Sequence, residues 1–158
     1  MIFALIAANT VGWLVVQLGI AAMATRLSDG WFARDGWLLR VRGWERGFYR
    51  RWLRIRRWKR WLPDGAPWVG GRFRKKTLEG RDTAYLGRLV VETRRGELAH
   101  WWMLACFPVF FLWNPRWAWW VMGAYALAAN VPCVVVQRYN REVAGRLLLH
   151  RRGRERCG

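Results

Sequence analysis

The chain has 158 residues, room for one domain, and carries 28 lysines and arginines against 10 acids, a formal net charge of +18. Hydrophobic residues make up 54% of it and 14 residues are tryptophan, a composition that a soluble basic domain of this size does not fit. Cys106, Cys133 and Cys157 make no C-x-x-C pair, so neither a zinc site nor thioredoxin-like chemistry has support. Such a charge suits nucleic acid or an anionic membrane, and its distribution along the chain decides between them.

Residues 2–24 contain no charged side chain. At about 1.5 Å of rise per residue they are long enough to cross about 30 Å of hydrocarbon. A cleaved signal peptide needs a basic segment in front of its apolar run, and nothing basic precedes Arg26, so a retained transmembrane helix is expected. Its polar interruptions, Asn9, Thr10 and Gln17, are expected to face other parts of the protein.

Residues 25–97 form a basic segment predicted to lie at the cytoplasmic face. Within it, the spacing over 44–63 predicts one amphipathic helix ended by Pro63. Trp44, Phe48, Trp52, Ile55 and Leu62 line one side of it, and Arg46, Arg50, Arg54 and Arg57 another. A basic helix with an aromatic face suits the headgroup layer. Interleaved arginine and tryptophan also suit single-stranded nucleic acid, but the flanking apolar spans favour lipid, and no nucleic-acid partner is expected. Residues 64–80 read as an irregular glycine-rich loop without a phosphate-loop pattern, and 83–102 as a helix running into the next span.

Residues 98–113 and 117–136 are two further apolar runs, broken by Asn114-Pro115-Arg116. They predict a helical hairpin, with Pro108 kinking the first arm and Pro132 near the end of the second. A basic tail, 137–158, follows. Lysine and arginine number 20 over residues 25–96 and 7 from residue 137, so both segments are placed in the cytoplasm and the N-terminus outside. The expected fold is an all-α integral membrane protein with three transmembrane helices and a basic interfacial helix, multi-pass in a bacterial cell membrane. Its oligomeric state is not set by the sequence.

The chemistry gathers at residues 92–102, ETRRGELAHWW, where the basic segment meets the second span. On one helix Glu92, Gly96 and His100 share a face, and Glu97 lies one turn before His100. A carboxylate beside an imidazole holds one ring nitrogen and raises the basicity of the other, which suits deprotonation of an attacking alcohol. Counting outward from Pro115, His100 and Asn130 are equidistant, so antiparallel arms bring them to one depth. Just beyond Asn130 come Gln137, Arg138, Tyr139, Asn140 and Arg141, polar groups that are costly near the bilayer and therefore candidates for function.

A plainer reading of the same residues is an idle surface Glu–His pair, an asparagine bonded to a neighbouring helix and arginines anchored on lipid. A lone Glu-x-x-His does not make a di-iron site, so no metal is expected.

Five segments resemble, in the same order, the glycosyl-4,4'-diaponeurosporenoate acyltransferase family of the staphyloxanthin pathway. They are LRIRRWKRWLPDGA, RFRKKTL, ETRRGELAHWW, FFLWNP and YALAANVPCVVVQRYNR, within residues 44–146. The resemblance implies a small membrane acyltransferase that esterifies a long-chain acyl group to a sugar hydroxyl of a glycosylated carotenoid or similar lipid. Acyl-CoA or an acyl carrier would be co-substrate, with no bound cofactor. On that basis His100 is the expected general base, oriented by Glu97 or Glu92. Asn130 or Asn140 would stabilise the oxyanion. Arg56, Arg57, Arg94 and Arg95 would hold the donor's phosphates, and Gln137, Arg138, Tyr139 and Arg141 would line the substrate site. The alternative from another class is a non-enzymatic membrane protein that binds anionic lipid or assists a partner enzyme, for which His100 would be dispensable.

Overall fold

A computed structural model of the chain describes residues 2–34, 36–61 and 82–157, and these are helical apart from turns, with no strand among them. The loop expected over 64–80 and the end of the 44–63 helix lie outside the described residues.

The uncharged N-terminal run forms α1 (Ile2–Arg26), closed by Arg26 in its last turn, where a cation complements the helix dipole. A short helix, α2 (Asp29–Ala33), follows it.

The helix expected over 44–63 is not continuous. It is α3 (Glu45–Arg51), a break, α4 (Ile55–Trp58), then a 3-10 turn over Lys59–Trp61. Trp52 N–H and Leu53 N–H both donate to Phe48 O (3.0 and 3.2 Å), which ends α3, and Arg54 adopts the left-handed conformation with φ 43°. The break turns Ile55 inward beside Tyr49, both packed on Tyr139, while Trp44 and Trp52 stay exposed. Burial of Tyr49 and Ile55 thus overrides the local 3.6-residue period: Trp44, Phe48 and Trp52 stay exposed, and Ile55 leaves their side.

Helix α5 (Thr83–Ala105) starts on an Asp82 cap, whose side chain accepts from Tyr85 N–H at 2.6 Å. It runs unbroken through ETRRGELAHWW, as the sequence predicts. Pro108 does not kink a longer α-helix; the arm finishes as a 3-10 helix, Phe107–Leu112. After the Asn114-Pro115 turn, α6 (Arg116–Cys157) continues far past residue 136, with Pro132 inside it, so the basic tail is helical. Two helices are long and apolar enough to cross a membrane, α1 and the Arg116–Arg154 stretch of α6. The charged first half of α5 keeps it out of that class.

Helices α5 and α6 pack antiparallel, with Leu86 and Leu89 against Ala144 at one end. At the other, Gly123 lets Phe107 approach so closely that an added Cβ would lie 3.2 Å from its Cζ. Helix α1 lies along the pair, Ile20 and Ala24 against Ala99 and Met103, and Trp13 stacked on Phe110 at 4.4 Å. Asn9 and Asn114 exchange amide hydrogen bonds at 2.8 Å, and Trp113 Nε1 donates to Asn9 Oδ1. Asn9 and Gln17 therefore face protein as expected, whereas Thr10 is exposed and bonds its own helix at Ile6 O.

Candidate active site

His100 on α5 and Asn130 on α6 meet across the hairpin, with 2.9 Å between His100 Nδ1 and Asn130 Oδ1. Asn130 is almost wholly buried, and its Nδ2 donates to Ala126 O one turn earlier at 2.9 Å. That second bond fixes the amide: the nitrogen faces a carbonyl, so the oxygen faces the imidazole. An amide oxygen only accepts, so Nδ1 is the ring nitrogen that carries hydrogen. A neutral His100 then has an unprotonated Nε2, the form that takes a proton from an alcohol.

His100 Nδ1 thus faces Asn130, where the sequence suggested a glutamate as the orienting group. Both oxygens of Glu97 are engaged elsewhere, and the residue is 0% exposed. Arg141 Nη2 lies 2.5 Å from Oε2, Arg138 Nε lies 3.0 Å from Oε1, and Trp101 Nε1 donates to Oε1 at 3.2 Å. Glu92 pairs with Arg95. Asn130 presents its oxygen to the ring and its Nδ2 to Ala126 O. Asn140, the alternative candidate, lies ten residues further along α6, about 15 Å of rise. Asn140 Oδ1 instead accepts from Lys59 Nζ at 3.3 Å. Burial pushes the Lys59 ammonium below its ordinary range, and the positive charge of Arg56 adds to the effect.

The arginines divide into two groups. Arg94 is buried and donates from Nη1 to Phe32 O (2.7 Å) and Ala33 O (2.9 Å), and Arg95 reaches Asp29, Glu92 and Leu27 O. Both tie α2 to α5, so the expected phosphate role has their guanidiniums already committed within the chain. Arg138 bridges Glu45 and Glu97 and donates from Nη2 to Leu38 O (2.9 Å) and Arg40 O (3.1 Å). Tyr139 is buried in the core against Tyr49, with Lys59 Nζ 5.1 Å from its ring centre, and Gln137 is half-buried. Arg56 and Arg57 remain on the surface of α4.

Sequence reasoning missed Glu45 and Tyr49. Glu45 is buried, accepts from Arg42 N–H at 2.9 Å and from Tyr49 Oη–H, and pairs with Arg138. The signal available was a lone acid in a basic run with a tyrosine one turn later.

A family model described as glycosyl-4,4'-diaponeurosporenoate acyltransferase matches residues 28–149. A glycosyl-4,4'-diaponeurosporenoate acyltransferase of Staphylococcus aureus strain USA300 is 35% identical over 146 residues, covering 89% of this chain and 87% of the relative. The protein of the same name from strain MRSA252 is 34% identical over 146 residues, with the same coverage. No solved structure matches the chain.

Proposed function

Because the chain belongs to the glycosyl-4,4'-diaponeurosporenoate acyltransferase family and is an acyltransferase, we propose how and where it acts. It moves a long-chain acyl group from a thioester donor to a sugar hydroxyl of a glycosylated carotenoid or similar lipid, at the cytoplasmic face of a bacterial membrane. The observation that supports the site is the His100–Asn130 pair at 2.9 Å, with the asparagine amide pinned by Ala126.

In this reading His100 Nε2 takes the proton of the sugar hydroxyl as its oxygen attacks the thioester carbonyl. A C–O bond forms, the tetrahedral intermediate expels the thiolate as the C–S bond breaks, and the imidazolium returns the proton to sulfur. The products are the ester and the free thiol, and the histidine ends as it began. Arg56 and Arg57, exposed on α4, hold the phosphates of acyl-CoA or of an acyl carrier.

The chain crosses the membrane three times, through α1, the α5 end with its 3-10 extension, and the first part of α6. The N-terminus lies outside, and the basic segment and the end of α6 lie in the cytoplasm. The hydrophobic acceptor stays in the bilayer and offers its sugar at the boundary.

The test is acyl transfer from labelled acyl-CoA by membranes carrying the wild-type chain or His100→Ala. Loss of a general base costs about 100- to 10,000-fold. Full transfer by the variant would end the histidine mechanism, and no transfer by the wild type to any glycosylated carotenoid would end the reading.

A further inference from the structure

Three polar side chains stand together where α1 meets α6, within segments read as membrane-spanning. Trp13 is 4% exposed, and its Nε1 has no hydrogen-bond partner among the described residues. A buried N–H without an acceptor is uncommon in native proteins and costly in apolar surroundings. One turn along the same face of α1, Gln17 donates from Nε2 to Tyr125 Oη at 3.3 Å. The Tyr125 ring lies 5.1 Å from the Trp13 ring, and Tyr125 is 44% exposed on the outer side of α6. Tyr125 accepts through its oxygen and retains its own O–H to donate. The Tyr125 hydroxyl therefore stands at a surface that a membrane-borne molecule reaches sideways, with the buried Trp13 indole against its ring, where hydrocarbon supplies no acceptor.

The position relative to His100 gives the ligand its chemistry. Tyr125 precedes Asn130 by five residues of α6, about 7.5 Å of helix rise, a distance on the scale of one sugar ring. The relatives' acceptor is by name a glycosyl ester, so a carbonyl joins its sugar to its apolar chain. We propose that Trp13 and Tyr125, with Gln17 orienting the phenol, form a subsite for the ester carbonyl of the lipid-linked glycoside. The sugar then lies between this subsite and His100, and the apolar chain runs outward past the exposed Tyr125 into the bilayer. This rests on the function proposed above. It adds a preference: the enzyme selects glycosyl esters over glycosides joined by an ether.

The experiment uses the full-length His100→Ala chain in detergent micelles, so that binding is read without turnover. Two glycosides of one polyene, ester-linked and ether-linked, are titrated, and binding is followed by polyene quenching of tryptophan emission. The parent binds the ester-linked compound about tenfold tighter, the scale of one or two well-placed hydrogen bonds. Trp13→Phe, which keeps the ring stack but lacks the N–H, and Tyr125→Phe, which keeps the ring but lacks the hydroxyl, each shrink that preference toward one. An undiminished preference in both variants, or none in the parent, overturns the subsite. A wild-type chain that shows the preference yet acylates neither glycoside refutes the proposed function and leaves the subsite standing.

Discussion

Asn130 holds His100 from across the hairpin, oxygen to Nδ1 at 2.9 Å, and Ala126 O decides which end of the amide faces the ring. An asparagine serves here where a carboxylate is the commoner partner. It fixes the tautomer without adding a negative charge to a crowded, largely buried helix contact.

Asn130→Leu removes the acceptor and frees the ring to turn or change tautomer, and acyl transfer is expected to fall about 10- to 100-fold, part of what a general base contributes. Asn130→Asp still accepts from Nδ1 and adds a charge that favours the imidazolium. It should retain more activity than Asn130→Leu and move the acidic limb of the pH–rate profile to higher pH. Equal activity of all three chains across the profile would remove Asn130 from the mechanism.

Glu97 is the carboxylate on which α6 converges, met by Arg138 and Arg141 from one side and by Trp101 from its own helix. Glu97→Gln leaves the buried Arg141 guanidinium without its counter-charge, while Arg138 keeps Glu45, a loss of about 3–5 kcal/mol of stability. Thermal unfolding in detergent should show it as a large fall in Tm. The double variant Glu97→Met, Arg141→Met should recover part of the loss, because replacing both partners removes the stranded charge. A double variant no more stable than Glu97→Gln alone would deny the pair its place in the core.

The reciprocal amides of Asn9 and Asn114 join the start of α1 to the hairpin turn. Asn9→Leu deprives both Asn114 and Trp113 of their acceptor. Interhelical hydrogen bonds between spans are worth about 0.6 kcal/mol on average and rarely above about 1.7. The expected result is a small destabilisation, accompanied by faster cysteine labelling at position 113 in a cysteine-free Trp113→Cys chain. Unchanged labelling would show that the apolar contacts alone seat α1.

The sequence carried the helical class, the uncharged first helix, the Asn114-Pro115 turn and the meeting of His100 with Asn130, because hydropathy and chain counting suffice for each. It did not carry the break at Arg54. Local spacing over 44–63 is helical throughout, and only contact with Tyr139 of α6 shows that Tyr49 and Ile55 must both turn inward. Nor could residue type separate arginines that point to solvent, such as Arg56, from those committed inside, such as Arg94. What separates them is the pair of carbonyls, Phe32 O and Ala33 O, that a distant segment brings to Arg94.

Tyr49 gives the basic segment a dependence on alkaline pH. Burial, reinforced by its hydrogen bond to Glu45 and by that carboxylate's charge, raises its ionisation well above the ordinary 10.0 of a tyrosine. A group whose pKa is raised on folding holds its proton more tightly in the native state. Its contribution to stability is fully present below the unfolded value and is lost as pH rises from about 10 upward. Ultraviolet titration should therefore show Tyr49 ionising only as the protein unfolds. Tyr49→Phe should remove that late component and flatten the decline of stability above pH of about 10, measured by chemical unfolding in detergent. A Tyr49→Phe chain whose stability falls with pH as steeply as the wild type would show that the buried Tyr49–Glu45 contact does not govern the alkaline limb.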